Sequence, residues 1–167
     1  MKKLTVSIIP VAMLLLLVAP LMSMSWAAEH PGSAVEHPGK DVKKAPAGEH
    51  PGHAITADFV KKAIEKHVDA QAKAQGGVFQ VKDAKLNKTW KLKLAKIHDP
   101  VRMFEKDGKT IYFACSDFNS TEGSEVLDID FWMVPKGHEL EVTDTKIHKV
   151  NGEPRYGYEG TVLKEIK

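Results

Sequence analysis

The chain has 167 residues, with 24 basic and 22 acidic side chains and a formal net charge of +2. Residues 1–27, which read as an export signal, contain Lys2 and Lys3 and no acid. The remainder is therefore formally neutral, which excludes an electrostatic case for nucleic-acid binding. Cys115 is the single cysteine, so no intramolecular disulfide can form; the thiol is buried, bridges to another chain, or serves as a ligand.

The export reading rests on adjoining features. Lys2 and Lys3 give a positive start, the stretch Leu4–Met22 carries no charge, and small residues follow at Ser25, Ala27 and Ala28. Pro10 and Pro20 interrupt the apolar run, which argues against an uncleaved membrane anchor. A cut after Ala27 places Ser25 and Ala27 in the two positions that require small side chains, whereas a cut after Ala28 would place Trp26 in one of them. The expectation is a protein exported to a periplasmic or extracellular space, with no stable membrane anchor after cleavage.

Residues 28–53 form a tail of different composition. Glu-His-Pro-Gly occurs three times, at Glu29–Gly32, Glu36–Gly39 and Glu49–Gly52, with four prolines and four glycines in the stretch. So little apolar surface cannot offset the entropy of ordering, and the tail is expected to be disordered or extended. It also holds half of the eight histidines: His30, His37, His50 and His53. Imidazole is a common ligand for zinc, copper and nickel, which makes the tail a candidate metal binder. Cleavage after Ala27 would sharpen this. The free amine of Ala28, the amides of Glu29 and His30 and the His30 imidazole would then offer four nitrogens in a square plane, an arrangement that suits Cu(II) or Ni(II). The opposing reading is a solvated linker that Pro-Gly keeps free of structure.

Residues 54–167 read as a single α+β domain. Thr56 can cap a helix with Asp58 in its first turn, and Phe59, Val60, Ala63, Ile64 and Val68 form an apolar stripe that Gly76-Gly77 brings to an end. The period then changes to two. Strands are expected over Val78–Val81, around Trp90, Leu92 and Leu94, over Val101–Glu105, Lys109–Phe118, Glu125–Val134 and Leu140–Val150, and near Arg155–Tyr158. Asp107-Gly108 and Asn151-Gly152 mark tight turns. One helix packed on an antiparallel meander of five to seven strands resembles the layout of cystatin-like folds, a likeness of architecture that carries no function.

A second candidate site lies on one sheet face. Leu127, Ile129, Phe131 and Met133 should face the helix, so Asp128, Asp130 and Trp132 face away. If Phe118 opposes Glu125, then Cys115 opposes Asp128 and Phe113 opposes Asp130. If Lys106 opposes Lys109, His98 extrapolates to Asp117. That register gathers His98, Cys115, Asp117, Asp128 and Asp130 beside Trp132, a donor set able to hold a metal ion. A slip of one residue would send Cys115 into the core. The plainer account has the two acids facing solvent and Cys115 packing. His138 and His148 are less informative, one beside a turn and the other in a lysine-flanked strand end.

Apolar residues fall on both faces of Ile111-Tyr112-Phe113-Ala114, which leaves open a binding module whose sheet is covered by a ligand, a protein partner or a second subunit. No nucleophile elbow or phosphate loop points to an enzyme. Mass spectrometry of the protein recovered after export should find a chain that begins at Ala28; a first residue of Glu29 would abolish the square-planar chelate.

Overall fold

The computed structural model describes residues 37–41 and 55–166. Residues 1–27, read above as an export signal, and the tail positions Ala28, Glu29, His30, His50 and His53 lie outside the described residues. Part of the tail is inside: Lys40–Asp41 forms a short strand, β1, which pairs with β4 (Arg102–Lys106).

Helix α1 spans Ala57–Ala74. The Thr56 hydroxyl accepts the Phe59 N–H at 3.2 Å, Asp58 sits in the first turn, and Val60, Ile64 and Val68 bury one stripe. Gly76 and Gly77, at φ 86° and 100°, let the chain leave the helix in a conformation that other residues resist. No helix of the described residues is long and apolar enough to cross a membrane.

The remaining strands are β2 (Phe79–Asp83), β3 (Lys88–Ile97), β5 (Lys109–Ser120), β6 (Val126–Lys136), β7 (Glu139–Val150), β8 (Glu153–Pro154), β9 (Tyr156–Glu159) and β10 (Val162–Glu165). Eight of the ten strands form one antiparallel sheet in the order β1-β4-β5-β6-β7-β8, with β2-β3 joined to the other half of β5. The strands β3 and β4 lie end to end along β5, separated at Asp99-Pro100, where proline has no N–H to continue the ladder. β9 and β10 make a separate two-stranded hairpin. The expected five to seven strands thus become eight in the main sheet. The additions are short pieces, β1 from the tail and β8 after the Asn151-Gly152 turn, with no hydrophobic period of their own.

Alternation gives the sheet two different faces. Tyr112, Ala114 and Phe118 of β5 join Leu127, Ile129, Phe131 and Met133 of β6 in the core with Val60, Ile64 and Val68 of α1. Phe113, Cys115 and Asp117 of β5 and Asp128, Asp130 and Trp132 of β6 therefore point to the other side.

The expectation of a wholly free tail is corrected for His37–Asp41. Pro38 is fully buried, and Arg102 Nη1 donates to Gly39 O at 3.2 Å. These contacts, with the β1–β4 ladder, offset the ordering entropy that composition alone implied.

The two ends of the strand order meet at Asp83, at the end of β2. Its carboxylate accepts Arg155 Nη1 at 2.5 Å, Trp90 Nε1 at 2.9 Å and the N–H groups of Lys85 and Leu86. Burial by itself would raise its pKa, but the bonds from Arg155, Trp90 and Leu86 prevail and hold it at about 2. Asp83→Asn should destabilise the fold by about 2 kcal/mol in denaturant titration at pH 7. Because the folded pKa is depressed, the advantage of the native acid is complete above its ordinary value near 4 and should disappear as pH falls through about 2.

Candidate metal centre

Four potential ligand atoms, one each from His37, Cys115, Asp130 and His148, lie within 4.8 Å of one another on the face of the sheet away from α1. They come from the tail, β5, β6 and β7.

Cys115 and Asp130 are direct partners in the β5–β6 ladder, and the Cys115 thiol donates to Asp130 Oδ1. Sequence reasoning assigned these residues to the correct face but paired Cys115 with Asp128 and Phe113 with Asp130. The observed ladder pairs Phe113 with Trp132 and Asp117 with Asp128. The loop is tighter than expected: Ser120 N–H donates to Glu125 O, and Phe118 opposes Leu127 rather than Glu125. The resulting slip is two residues, an even number, so every side chain keeps its face.

His148 reaches the site through a β-bulge. In the β6–β7 ladder Asp128 opposes Lys149 and Ile129 opposes Ile147, which leaves His148 as the extra residue between them. Its Nδ1 lies 3.9 Å from Cys115 Sγ, 3.7 Å from Asp130 Oδ1 and 3.6 Å from Asp128 Oδ2. His37 enters from above the sheet, its Nε2 3.5 Å from Cys115 Sγ. The His37 ring packs on Phe113 at 5.5 Å and edge-on to His148 at 5.2 Å.

Over this cluster lies the β9–β10 hairpin. The hydroxyls of Tyr156 and Tyr158 donate to Asp130 Oδ2 at 2.9 and 2.7 Å, and the Tyr156 ring stacks on His148. The outer side of Phe113 is thus covered by Tyr158 and His37 of the same chain.

The electrostatics follow from this enclosure. Burial and, next, the charge of His148 lower the His37 pKa to about 4, so its imidazole is neutral with a lone pair available at neutral pH. Burial also depresses His148, but the hydrogen bond and charge of Asp128 and the charge of Asp130 outweigh it and raise the pKa. Asp130, wholly inaccessible to water, is pushed up to about 6, chiefly by burial. Burial and then the carboxylates Asp130 and Asp128 drive the Cys115 thiol well above its usual range, so it carries its proton in the metal-free chain. Both tyrosine pKa values are raised, first by burial and next by Asp130, which keeps the phenols as donors.

The other predicted residues surround the cluster without entering it. His98 Nε2 meets Asp117 Oδ2 at 2.9 Å, but the ladder differs from the extrapolated register: Lys96 is the partner of Asp117, and the His98 N–H donates to Cys115 O. Asp128 contacts His148 from the next ladder position, and Trp132 stands behind Phe113 at 5.3 Å. Of the tail histidines, His37 alone is among the described residues. Sequence reasoning missed His148, Tyr156 and Tyr158. Ile147 in the core was a signal that His148 points outward; for the tyrosines, which lie in a separate hairpin, no local signal exists.

No protein-family model matches the chain, and neither a curated protein nor a solved structure matches it. A buried, protonated Cys115 should react with iodoacetamide at pH 8 at least about 100-fold more slowly than a free cysteine. Mass spectrometry of the folded, metal-free chain checks this, with the denatured chain as the reactive control.

Proposed function

We propose that the protein is an exported binder of a transition-metal ion of the zinc or copper class, held by His37, Cys115, Asp130 and His148. The observation that carries this reading is the convergence of one thiol, two imidazoles and one carboxylate within 4.8 Å. In a tetrahedral zinc site, bonds of about 2.3 Å to sulfur and about 2.0 Å to nitrogen or oxygen place ligand atoms roughly 3.3–3.6 Å apart. The Sγ–Nε2, Sγ–Nδ1 and Nδ1–Oδ1 separations of 3.5, 3.9 and 3.7 Å need only a small contraction to meet that geometry. Cys115 and Asp130 would have to part, since the thiol proton now joining them must leave when sulfur binds a metal.

Thiolate with imidazole suits Zn(II) and copper, whereas the all-nitrogen square plane considered for Ala28-Glu29-His30 suits Cu(II) or Ni(II). Tyr156 and Tyr158 would act on the ion through Asp130, holding its carboxylate in place as outer partners of metal ligands do. Within this reading the domain has the cystatin-like layout, with the helix on one face of the sheet and the metal on the other. The chain buffers or carries the ion outside the cytoplasm, and the remaining tail histidines supply further weak donors.

Titration of the protein with Zn(II) in competition with a chromophoric chelator, and with Co(II) for its spectrum, tests the reading. Wild type should bind one ion tightly with a sulfur-to-Co(II) charge-transfer band. Cys115→Ser should abolish the band, and His148→Ala should weaken binding by more than about 100-fold, with circular dichroism as the check on folding. Wild-type affinity no better than that of a peptide spanning residues 28–53 would overturn the proposal.

A further inference from the structure

Between residues 82 and 96 the chain places six lysines, Lys82, Lys85, Lys88, Lys91, Lys93 and Lys96, against a single acid, Asp83. That acid is buried and already matched inside the fold by Arg155 and Trp90. Residues 28–167 are formally neutral as a whole, so an excess of acid elsewhere balances this segment. The positive charge is concentrated on one hairpin.

Strand alternation turns much of it to one side. In the β2–β3 ladder Phe79 and Val81 oppose Leu92 and Trp90 on the core face, so Lys82, Lys91 and Lys93 stand on the other. Lys96 continues that face as the partner of Asp117. All four are exposed. Among the described residues Lys91 alone of the six forms an ion pair, with Glu122 at 2.6 Å, while Lys88 lies 3.6 Å from the centre of the Trp90 ring.

The turn joining the two strands adds an apolar apex. Leu86 is 54 % exposed, with Lys85 before it and Lys88 soon after. It is not a loose tip. Asp83 accepts the N–H of Lys85 at 3.0 Å and that of Leu86 at 3.1 Å, so the buried acid fixes the turn that presents the leucine.

We infer that this hairpin docks reversibly on the surface of an anionic phospholipid bilayer, with its lysines on lipid phosphates and Leu86 in the interface. An acidic protein is the other partner that so basic a face could take, but the side chains suit it poorly. Lysine is depleted in protein–protein interfaces, and the aromatic and arginine anchors that dominate them have no exposed counterpart here, since Phe79 and Trp90 are buried. A lipid surface asks for what the hairpin offers. Flexible lysine stems lie along apolar surface while their heads follow phosphates, and a leucine among them adds area removed from water. Such a contact is peripheral and salt-sensitive, and it needs no metal ion.

Sedimentation of the chain recovered after export with vesicles of phosphatidylcholine, pure or mixed with an equal part of phosphatidylglycerol, tests this. Wild type should bind the anionic vesicles, leave the neutral ones, and lose most of its binding at about 0.5 M salt. Each lysine near such a surface strengthens binding about fivefold. Lys82→Gln/Lys85→Gln/Lys93→Gln should therefore bind on the order of 100-fold more weakly. Lys62→Gln/Lys73→Gln/Lys106→Gln removes the same net charge from exposed positions on α1 and at the end of β4, and should stay within about threefold of wild type. In Leu86→Trp, the added indole should shift its fluorescence to the blue on anionic vesicles.

Equal weakening by the two triple variants would overturn the inference, because net charge rather than this face would then decide binding. Wild-type binding to anionic vesicles no tighter than to neutral ones would do the same, and is the result expected were an acidic protein, or water alone, the occupant. Emission from Leu86→Trp that does not move on vesicles that carry the protein down would also overturn it.

Discussion

A carboxylate with no access to water lies at the centre of the molecule's polar face, and most of what surrounds it answers to that burial. Asp130 is 0 % exposed. An isolated buried carboxylate would cost several kcal/mol, so the fold surrounds it with donors: the Cys115 thiol on one oxygen, Tyr156 and Tyr158 on the other, and the His148 ring alongside. The β9–β10 hairpin makes no ladder with the main sheet, and its two phenols are a principal reason for its position. A divalent cation would satisfy the same carboxylate more fully, because it brings the positive charge that the phenols lack.

Stability resides on the opposite face. Phe118, Leu127, Ile129, Phe131 and Met133 are fully buried against α1, each contributing roughly 1.5–3 kcal/mol by its removal from water. That core allows β5 and β6 to carry ionisable groups on their outer side. Asp83 and Arg155 then tie the first and last segments of the curled sheet together. The hairpin that follows Arg155 is thereby held where its tyrosines meet Asp130.

The tail shows how a segment too polar to fold alone can still be ordered locally. Pro38 and Gly39 are residues that composition marks as breakers, and beside β4 each has a specific use: the proline is buried and the glycine passes where a side chain has no room. His37-Pro38-Gly39 is therefore read equally well as a spacer or as a docked segment until the surface that receives it is known.

Much of the scaffold is local in origin and was legible in the chain. The Thr56 cap, the Val60-Ile64-Val68 stripe, the glycine stop and the Asp107-Gly108 turn each follow from a few neighbouring residues. So does the division of β5 and β6 into a core face and a polar face, because alternation survives a slip of two. Partner assignments are not local. They depended on a tight loop before Val126 and on two irregularities in the β6–β7 ladder, one of which brings His148 to the site. Extrapolation from a turn cannot register a bulge, since the inserted residue breaks the arithmetic without leaving a mark on hydrophobic periodicity. Sequence by itself thus marked His37, Cys115 and Asp130 as candidate ligands and decided on which side of the sheet Cys115 and Asp130 stand. Only the tertiary structure decided that His37 and His148 join them, because contacts among a tail, three strands and a hairpin arise from chain closure over distances that no local pattern records.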